Sequence, residues 1–448
     1  MIEKIKNAAV FLLILTALCQ AANLWTDASA DYNPFYLARS LFFEREEYLG
    51  EKAALAVPSR IISKNSGGVY RVKYNNLGAN VGKYNCDAVL DEFFLSGKFE
   101  GIKEIDPDDA PSCVIYDYSV KIPSEAFAEC FLQNASSFKA KANKLASRSE
   151  GFRRVVFIPC PEGDPSNIAT VCFDDGSSAA VFTVKIKPSV NSSLWLYIKD
   201  GSVSDLTYFR QGGLFIPIFL RDGFVYHPLY GSNPYISPDG VLTLKSAQRT
   251  LSPLFGNASI TQAEPDDAGY RYSSDANSVV KYNAAANVVE YSDYSAAAKN
   301  AANTLPLNYA AAAAFLNADP ALKTDRYLAG YDFDGSRYSF YFNYAVNDLP
   351  VFIPDSMKQD LGMSYMLEIT VTRQKVVKYK KIALNFFSDE SSFDAATLSY
   401  RDFSEPLSEG GGQPSDVKLA YKYDKFRQLT LSWFLSLNGR SYAHPARG

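Results

Sequence analysis

Between Lys6 and Asp27 the chain runs uncharged from Ala8 to Trp25, and no other stretch constrains the protein as strongly. As a helix, those 18 residues rise roughly 27 Å, close to the ~30 Å hydrocarbon thickness of a bilayer. Lys4 and Lys6 precede the run, Asp27 and Asp31 come after it, and Trp25 suits the far headgroup interface. Short basic flanks stay cytoplasmic, so the pattern predicts a single-pass cell-membrane anchor with a cytoplasmic N-terminus and the bulk of the chain extracytoplasmic. A cleaved signal peptide is the alternative. Cys19-Gln20-Ala21 offers small residues for cleavage, but apolar character continues past them to Leu24 and Trp25. A lipoprotein would need a smaller residue than Leu18 before the modified cysteine. No later stretch is long and apolar enough to span.

The chain beyond the run is too long for one core. At 448 residues and 47% hydrophobic, the chain predicts two or three domains beyond the anchor and excludes disorder. A net charge of −4, from 45 basic and 49 acidic residues spread along the sequence, leaves no basic stripe for a phosphate backbone, so nucleic acid is excluded as a partner. Cys86, Cys113, Cys130, Cys160 and Cys172 show no Cys-x-x-Cys and no repeated spacing. Scattered buried thiols fit that pattern better than a zinc site or a dense disulfide scaffold, with one or two disulfides left open.

Short alternating segments with 30 Tyr and 30 Phe predict sheets rather than a helical bundle. Tyr338, Phe340, Phe342 and Tyr344 share one face of a strand, and Leu367–Thr372 sends Leu367, Ile369 and Val371 inward. Val376–Tyr379 is its expected hairpin partner across Arg373-Gln374-Lys375. Val417–Tyr423 and Leu429–Leu435 repeat the pattern. Arg154–Pro159, Ile168–Phe173, Ala180–Lys187 and Leu194–Ile198 read as a four-strand meander. Helices are expected over Pro34–Leu49, Cys86–Phe94, Ser124–Leu145, Ser246–Phe255, Tyr294–Leu316 with a break near Pro306, and Phe393–Phe403. The Ala310–Ala314 run suits a helix interior, and Glu405–Ser415 reads as a surface loop. The fold class is therefore α+β: an N-terminal transmembrane helix, then an ectodomain of antiparallel sheets with helices packed on them. Breaks near 150 and 240 divide it into residues 1–27 (stub and anchor), 28–150 (α+β), 151–240 (antiparallel β) and 241–448 (α+β).

Catalytic chemistry finds little to stand on. His227 and His444 are the only histidines, one before Pro228 in an aromatic loop and one near the end, and neither is placed as a buried base. There is no His-Glu-x-x-His pair and no Gly-x-Ser-x-Gly elbow. A penicillin-recognising enzyme is an alternative on Ser136-Ser-Phe-Lys139, Ser189-Val-Asn191 and Lys323-Thr-Asp325, which occur in the right order. Asp325 stands where that chemistry needs glycine, and Ser136 is followed by a lysine-rich solvated face. Asp332-Phe-Asp334-Gly335 resembles a calcium loop but lacks the twelfth-position glutamate, so a hairpin turn is the better reading. Asp106-Pro-Asp108-Asp109 and Glu264-Pro-Asp266-Asp267 read as acidic turns. No catalytic residue, cofactor site or metal site is assigned.

An ordered set of short motifs points further. Ile2-Glu-Lys-Ile-Lys6 with the apolar helix ending Asn23-Leu-Trp25-Thr26, then Val57-Pro-Ser-Arg-Ile-Ile62, Tyr118-Ser-Val-Lys-Ile-Pro123, Val288-Val-Glu-Tyr291, Asn347-Asp-Leu-Pro-Val-Phe352, Leu419-Ala-Tyr421 and Leu429-Thr-Leu-Ser-Trp433 resemble, in order, segments of the YycH family. Ser432 stands where that pattern has proline. The resemblance implies a non-enzymatic accessory protein of a sensor histidine kinase of the WalK (YycG) type that governs cell-wall metabolism. It further implies a YycI-like partner and control passed through the membrane helices. Ala17 and Ala21 would form a small-xxx-small notch, with Gln20, Asn23 and Trp25 near the outer leaflet; ordinary lipid-facing composition is the plain alternative for each. An extracellular binding or structural module, taking a peptide on a strand edge, is the other reading.

Overall fold

Alternation between apolar and polar residues is converted almost everywhere into antiparallel strands. The computed structural model describes residues 53–446 apart from 75–80, 133–137, 200–205, 212–213, 220–223, 238–239, 242–243, 257–258, 267–268, 275–276, 389–393, 397, 404–413, 425–427 and 438–439. The expected anchor and the helix expected over Pro34–Leu49 lie outside those residues. Among the described residues, no helix is long and apolar enough to cross a membrane.

The first sheet has nine strands: β1 (Arg60–Lys64), β2 (Tyr70–Tyr74), β3 (Lys98–Lys103), β4 (Cys113–Pro123), β5 (Gly151–Ile158), β6 (Ile168–Asp174), β7 (Ala179–Lys185), β8 (Leu206–Gln211) and β9 (Leu214–Phe219), in the order β3-β7-β6-β5-β4-β1-β2-β8-β9. Strands on both sides of Glu150 belong to it. Helices α1 (Val81–Ser96), α2 (Ser124–Phe131), α3 (Phe138–Ala146) and α4 (Pro188–Lys199) accompany it. Phe93 of α1 meets Phe173 and Phe182 at ring-centroid distances of 5.0 and 4.9 Å, and Phe127 of α2 meets Phe152 at 5.1 Å. Tilted and edge-on geometry of this kind adds to what ring burial alone contributes.

The second sheet collects fourteen strands from the rest of the chain. Apart from two small strand pairs, β10 (Phe224–Tyr226) with β24 (Asp394–Ala396) and β12 (Ile236–Ser237) with β13 (Gly240–Val241), it takes in β11 (Leu229–Ser232), β14 (Gln262–Asp266), β15 (Gly269–Ser273), β16 (Ser278–Asn283), β17 (Val288–Asp293), β18 (Arg326–Phe333), β19 (Tyr338–Val346), β20 (Leu349–Phe352), β21 (Leu367–Thr372), β22 (Lys375–Ile382), β23 (Asn385–Ser388), β25 (Pro414–Lys422), β26 (Gln428–Leu437) and β27 (Arg440–Pro445). Its order is β14-β15-β16-β17-β22-β21-β19-β20-β25-β26-β11-β23, with β18 on β19 and β27 on β26. The β20–β25 pairing is parallel. Helices α5 (Leu244–Leu251), α6 (Leu305–Ala318) and α7 (Asp355–Leu361) belong to this half. Tyr309 and Phe315 of α6 pack on Phe340 and Tyr379, each at 5.2 Å. Ala310–Ala313 are all buried, so the small side chains let this helix sit close to its neighbours on more than one side.

The sheet-rich α+β expectation agrees with this architecture, and so does the Leu367–Thr372 hairpin. Its turn residues Arg373 and Gln374 both take positive φ, 47° and 64°, the type I′ shape that matches strand twist. Neither is glycine, so the conformation is costly. It is held from outside by Asn303 Oδ1 and Asn308 Oδ1, which accept the two backbone N–H groups at 3.0 and 2.9 Å.

Four of the expected helices and strands need correction. Leu194–Ile198 is not a strand but the end of α4: Pro188 starts that helix, and Asn191, Leu194 and Ile198 bury at helical spacing while Leu196 stays 61% exposed. The helix expected from Tyr294 begins only at Leu305, because Pro306 sits in its first turn, where a missing N–H costs nothing, and initiates rather than interrupts it. Within Phe393–Phe403 the chain forms β24, pairing with β10, and turns helical only at Tyr400. The Ser124–Leu145 helix is α2 and α3 rather than one element.

All five described cysteines are buried and unbonded. Burial pushes the Cys113 and Cys172 thiols up to about 12, which removes the reactive thiolate at ordinary pH. Iodoacetamide at about pH 8, where a typical exposed thiol reacts, should therefore leave Cys86, Cys113, Cys130, Cys160 and Cys172 unmodified in the folded protein and label them after denaturation. Peptide mass mapping reads the result, and labelling of Cys113 or Cys172 before denaturation would contradict the packing.

Candidate functional site

Among the described residues, the outward face of the C-terminal strands carries a cleft. On β25 the alternation Asp416, Lys418, Lys422 faces out, while Val417, Leu419 and Tyr421 are buried. Cross-strand pairing puts Phe434 of β26 opposite Lys418, Ala443 of β27 beyond Phe434, and Phe352 of β20 beside Lys422. Helix α7 closes one side with Asp355, Ser356 and Lys358, leaving a volume of about 420 Å³. Phe352 and Phe434 meet at 5.6 Å with planes tilted by 45°, and the Lys418 ammonium lies 4.8 Å over the Phe352 ring. That is a good cation–π geometry.

The charges in the cleft are unequal in their pairing. Lys358 holds Asp355 at 2.5 Å, one turn away on α7, and Lys418 pairs with Asp416. The Lys422 side chain makes no ion pair or hydrogen bond with the described residues.

Other polar clusters are structural. Lys381 and Asp319 form an ion pair at 2.6 Å with both side chains essentially without exposure, and Tyr379 donates to the same carboxylate oxygen at 2.8 Å. The Asp106-Pro-Asp108-Asp109 segment is indeed a turn, but a clamped one. The buried Lys64 ammonium donates to the carbonyls of Pro107, Asp108 and Ala110 at 3.1, 2.8 and 2.7 Å, and Arg210 pairs with both Asp106 and Asp108. Burial works against the Asp108 charge, yet bonds from Tyr70 and Arg210 hold its carboxyl below the usual range.

The residues that stood out in the sequence occupy varied places. Ala17, Gln20, Ala21, Asn23 and Trp25 lie outside the described residues, as does Ser136. Asn191 is buried and clamps Cys160, accepting its N–H at 3.0 Å and donating to its carbonyl at 3.1 Å. Thr324 Oγ1 accepts the Phe386 N–H at 2.8 Å. Both therefore serve packing in their own halves. Asp334 closes the β18–β19 hairpin, accepting N–H bonds from Ser336 and Arg337 at 2.8 Å, with Gly335 at φ 93°; the turn reading holds. Glu264 and Pro265 belong to edge strand β14 instead of a turn, where proline is tolerated. His227 is half-buried and its carbonyl accepts Tyr421 Oη–H at 3.1 Å, while His444 is exposed on β27. Sequence reading missed the cleft and the Lys381–Asp319 pair. For Lys381 the available signal was a lysine at a position that the hairpin register sends inward.

No family profile and no curated protein matches the chain. Among solved structures, it is similar to YycH from Bacillus subtilis, with a TM-score of 0.52 and 12% identity over 88% of this chain and 96% of that one. The chain has the YycH fold. An uncharacterized protein from Eubacterium rectale aligns with a TM-score of 0.31 and 10% identity over 54% of this chain and 89% of that one, too distant a match to bear on the fold.

Proposed function

We propose that this chain is a membrane-anchored, extracytoplasmic accessory regulator of a sensor histidine kinase of the WalK (YycG) type, acting beside a YycI-like partner in the control of cell-wall metabolism. The observation that carries the reading is the YycH fold across 88% of the chain. The uncharged run Ala8–Trp25 with its basic and acidic flanks supports the anchored topology. The role is regulatory rather than catalytic: the clamped Asp106–Asp108 turn, the Asn191–Cys160 pair and the Lys381–Asp319 pair hold elements in place.

Affinity capture in mild detergent tests this directly. The full chain, tagged and anchored through its own N-terminal segment, is expected to bring the kinase out of membranes in amounts well above those recovered with an unrelated single-pass bait. Recovery equal to that bait, with and without cross-linking in intact cells, would end the kinase reading.

A further inference from the structure

We propose that the cleft between α7 and strands β20, β25, β26 and β27 is a binding site for a small organic monoanion with a flat apolar body. This reading is independent of the kinase assignment.

Three features of the cleft converge on that chemistry. Its volume, about 420 Å³, falls within the range of small-molecule sites. Its walls present the half-buried rings of Phe352, Phe434 and Tyr442 next to Ile353 and Ala443. Aromatic surface kept partly open on a sheet face, when the opposite face buries Leu431, Trp433 and Leu435 completely or nearly so, is the kind of apolar exposure that a ligand relieves.

Charge then selects the sign and number. Lys358 and Lys418 are neutralised by Asp355 and Asp416 within the cleft, which leaves the ammonium of Lys422 as the uncompensated charge among the described residues that line it. A cation would meet that charge without a carboxylate at liberty to offset it. A dianion would keep one charge unpaired beside aromatic walls, at the cost of desolvating it. One carboxylate or sulfonate facing Lys422, with its ring laid against the open surface of Phe352 and Phe434, satisfies both halves of the site. Ser356 and Ser436 also line the cleft, and their hydroxyls can serve as further donors.

The test uses the full chain in lipid nanodiscs, with empty discs subtracted, titrated calorimetrically with three probes. Naphthalene-2-carboxylate carries both the charge and the ring, naphthalene-2-methanol only the ring, and acetate only the charge. The carboxylate probe is expected to bind saturably and about tenfold more tightly than either partial probe. Lys422→Gln should weaken it about tenfold, and Lys422→Arg should stay within about twofold, with thermal midpoints of both variants equal to that of the parent. Phe434→Leu gives a second handle, since it removes the stacking face without touching charge. No saturation up to ~10 mM, equal affinity for the neutral probe, or unchanged binding in Lys422→Gln would each overturn the proposal.

Discussion

Replacing Lys381 with methionine should cost about 3–5 kcal/mol of stability, the penalty for stranding a buried charge. Lys381 and Asp319 are 1% and 0% exposed in their side chains and only 2.6 Å apart. Removing the ammonium leaves the carboxylate with Tyr379 Oη–H and the Ala321 N–H, at 2.8 and 2.9 Å, and no countercharge. The joint change Lys381→Met with Asp319→Asn keeps an acceptor for Ala321 and removes the charge, so most of the loss should return. Urea melts of the full chain and both variants in one detergent decide this, because the midpoint shifts while the slope stays fixed. Equal midpoints for the parent and Lys381→Met, or a double variant as weak as the single, would refute the buried pair.

The same residue gives a pH signature. Burial lowers the Lys381 pKa below its ordinary 10.5, and the attraction of Asp319 offsets only part of that. The unfolded chain then binds the proton more readily than the folded one. Stability attributable to Lys381 therefore rises with pH from the lowered folded value up to 10.5 and is flat outside that window. The difference between parent and Lys381→Met melts across alkaline pH should show that slope.

Exchange of residues 8–25 for an unrelated spanning helix should keep the protein in the membrane and abolish specific recovery of the kinase. Lipid gives two helices no solvent-driven reason to associate, so contact must come from close packing and polar bonds. Leucine at both Ala17 and Ala21 would fill the proposed notch without lowering hydrophobicity. Interhelical contacts of this kind are worth about 0.6–1.7 kcal/mol each, so kinase recovery should fall about three- to twentyfold while insertion survives. An anchor can bias a kinase only through contacts that differ between the kinase's states. Unchanged kinase output and complex formation after the exchange would move the coupling to the ectodomain.

Strand identity and hairpin pairing were readable because they are local. The alternation from Tyr338 to Tyr344 survives in β19, with Phe340, Phe342 and Tyr344 buried, and Leu367–Thr372 buries alternate residues. Misreadings arose where two periods overlap over a few residues. Leu194-Trp-Leu-Tyr-Ile198 alternates like a strand, yet Leu194 and Ile198 are also one helical turn apart, and Pro188 decided between them. At Pro306 the chemistry was visible but its sense was not, since proline both ends and begins helices.

By itself, the sequence determined the elements whose cause lies within a few neighbouring residues: antiparallel strands from period-two burial, the hairpin joined across Arg373-Gln374-Lys375, and an uncharged run with the length of a bilayer span. Only the tertiary structure decided which elements meet. The order β20-β25-β26-β27 sets Phe352 beside Lys422 and Phe434 beside Lys418, and a chain separation of 62 residues lies between Asp319 and Lys381. Neither partner of such a contact carries a local mark of the other, because its free energy depends on the water both lose when distant segments pack together.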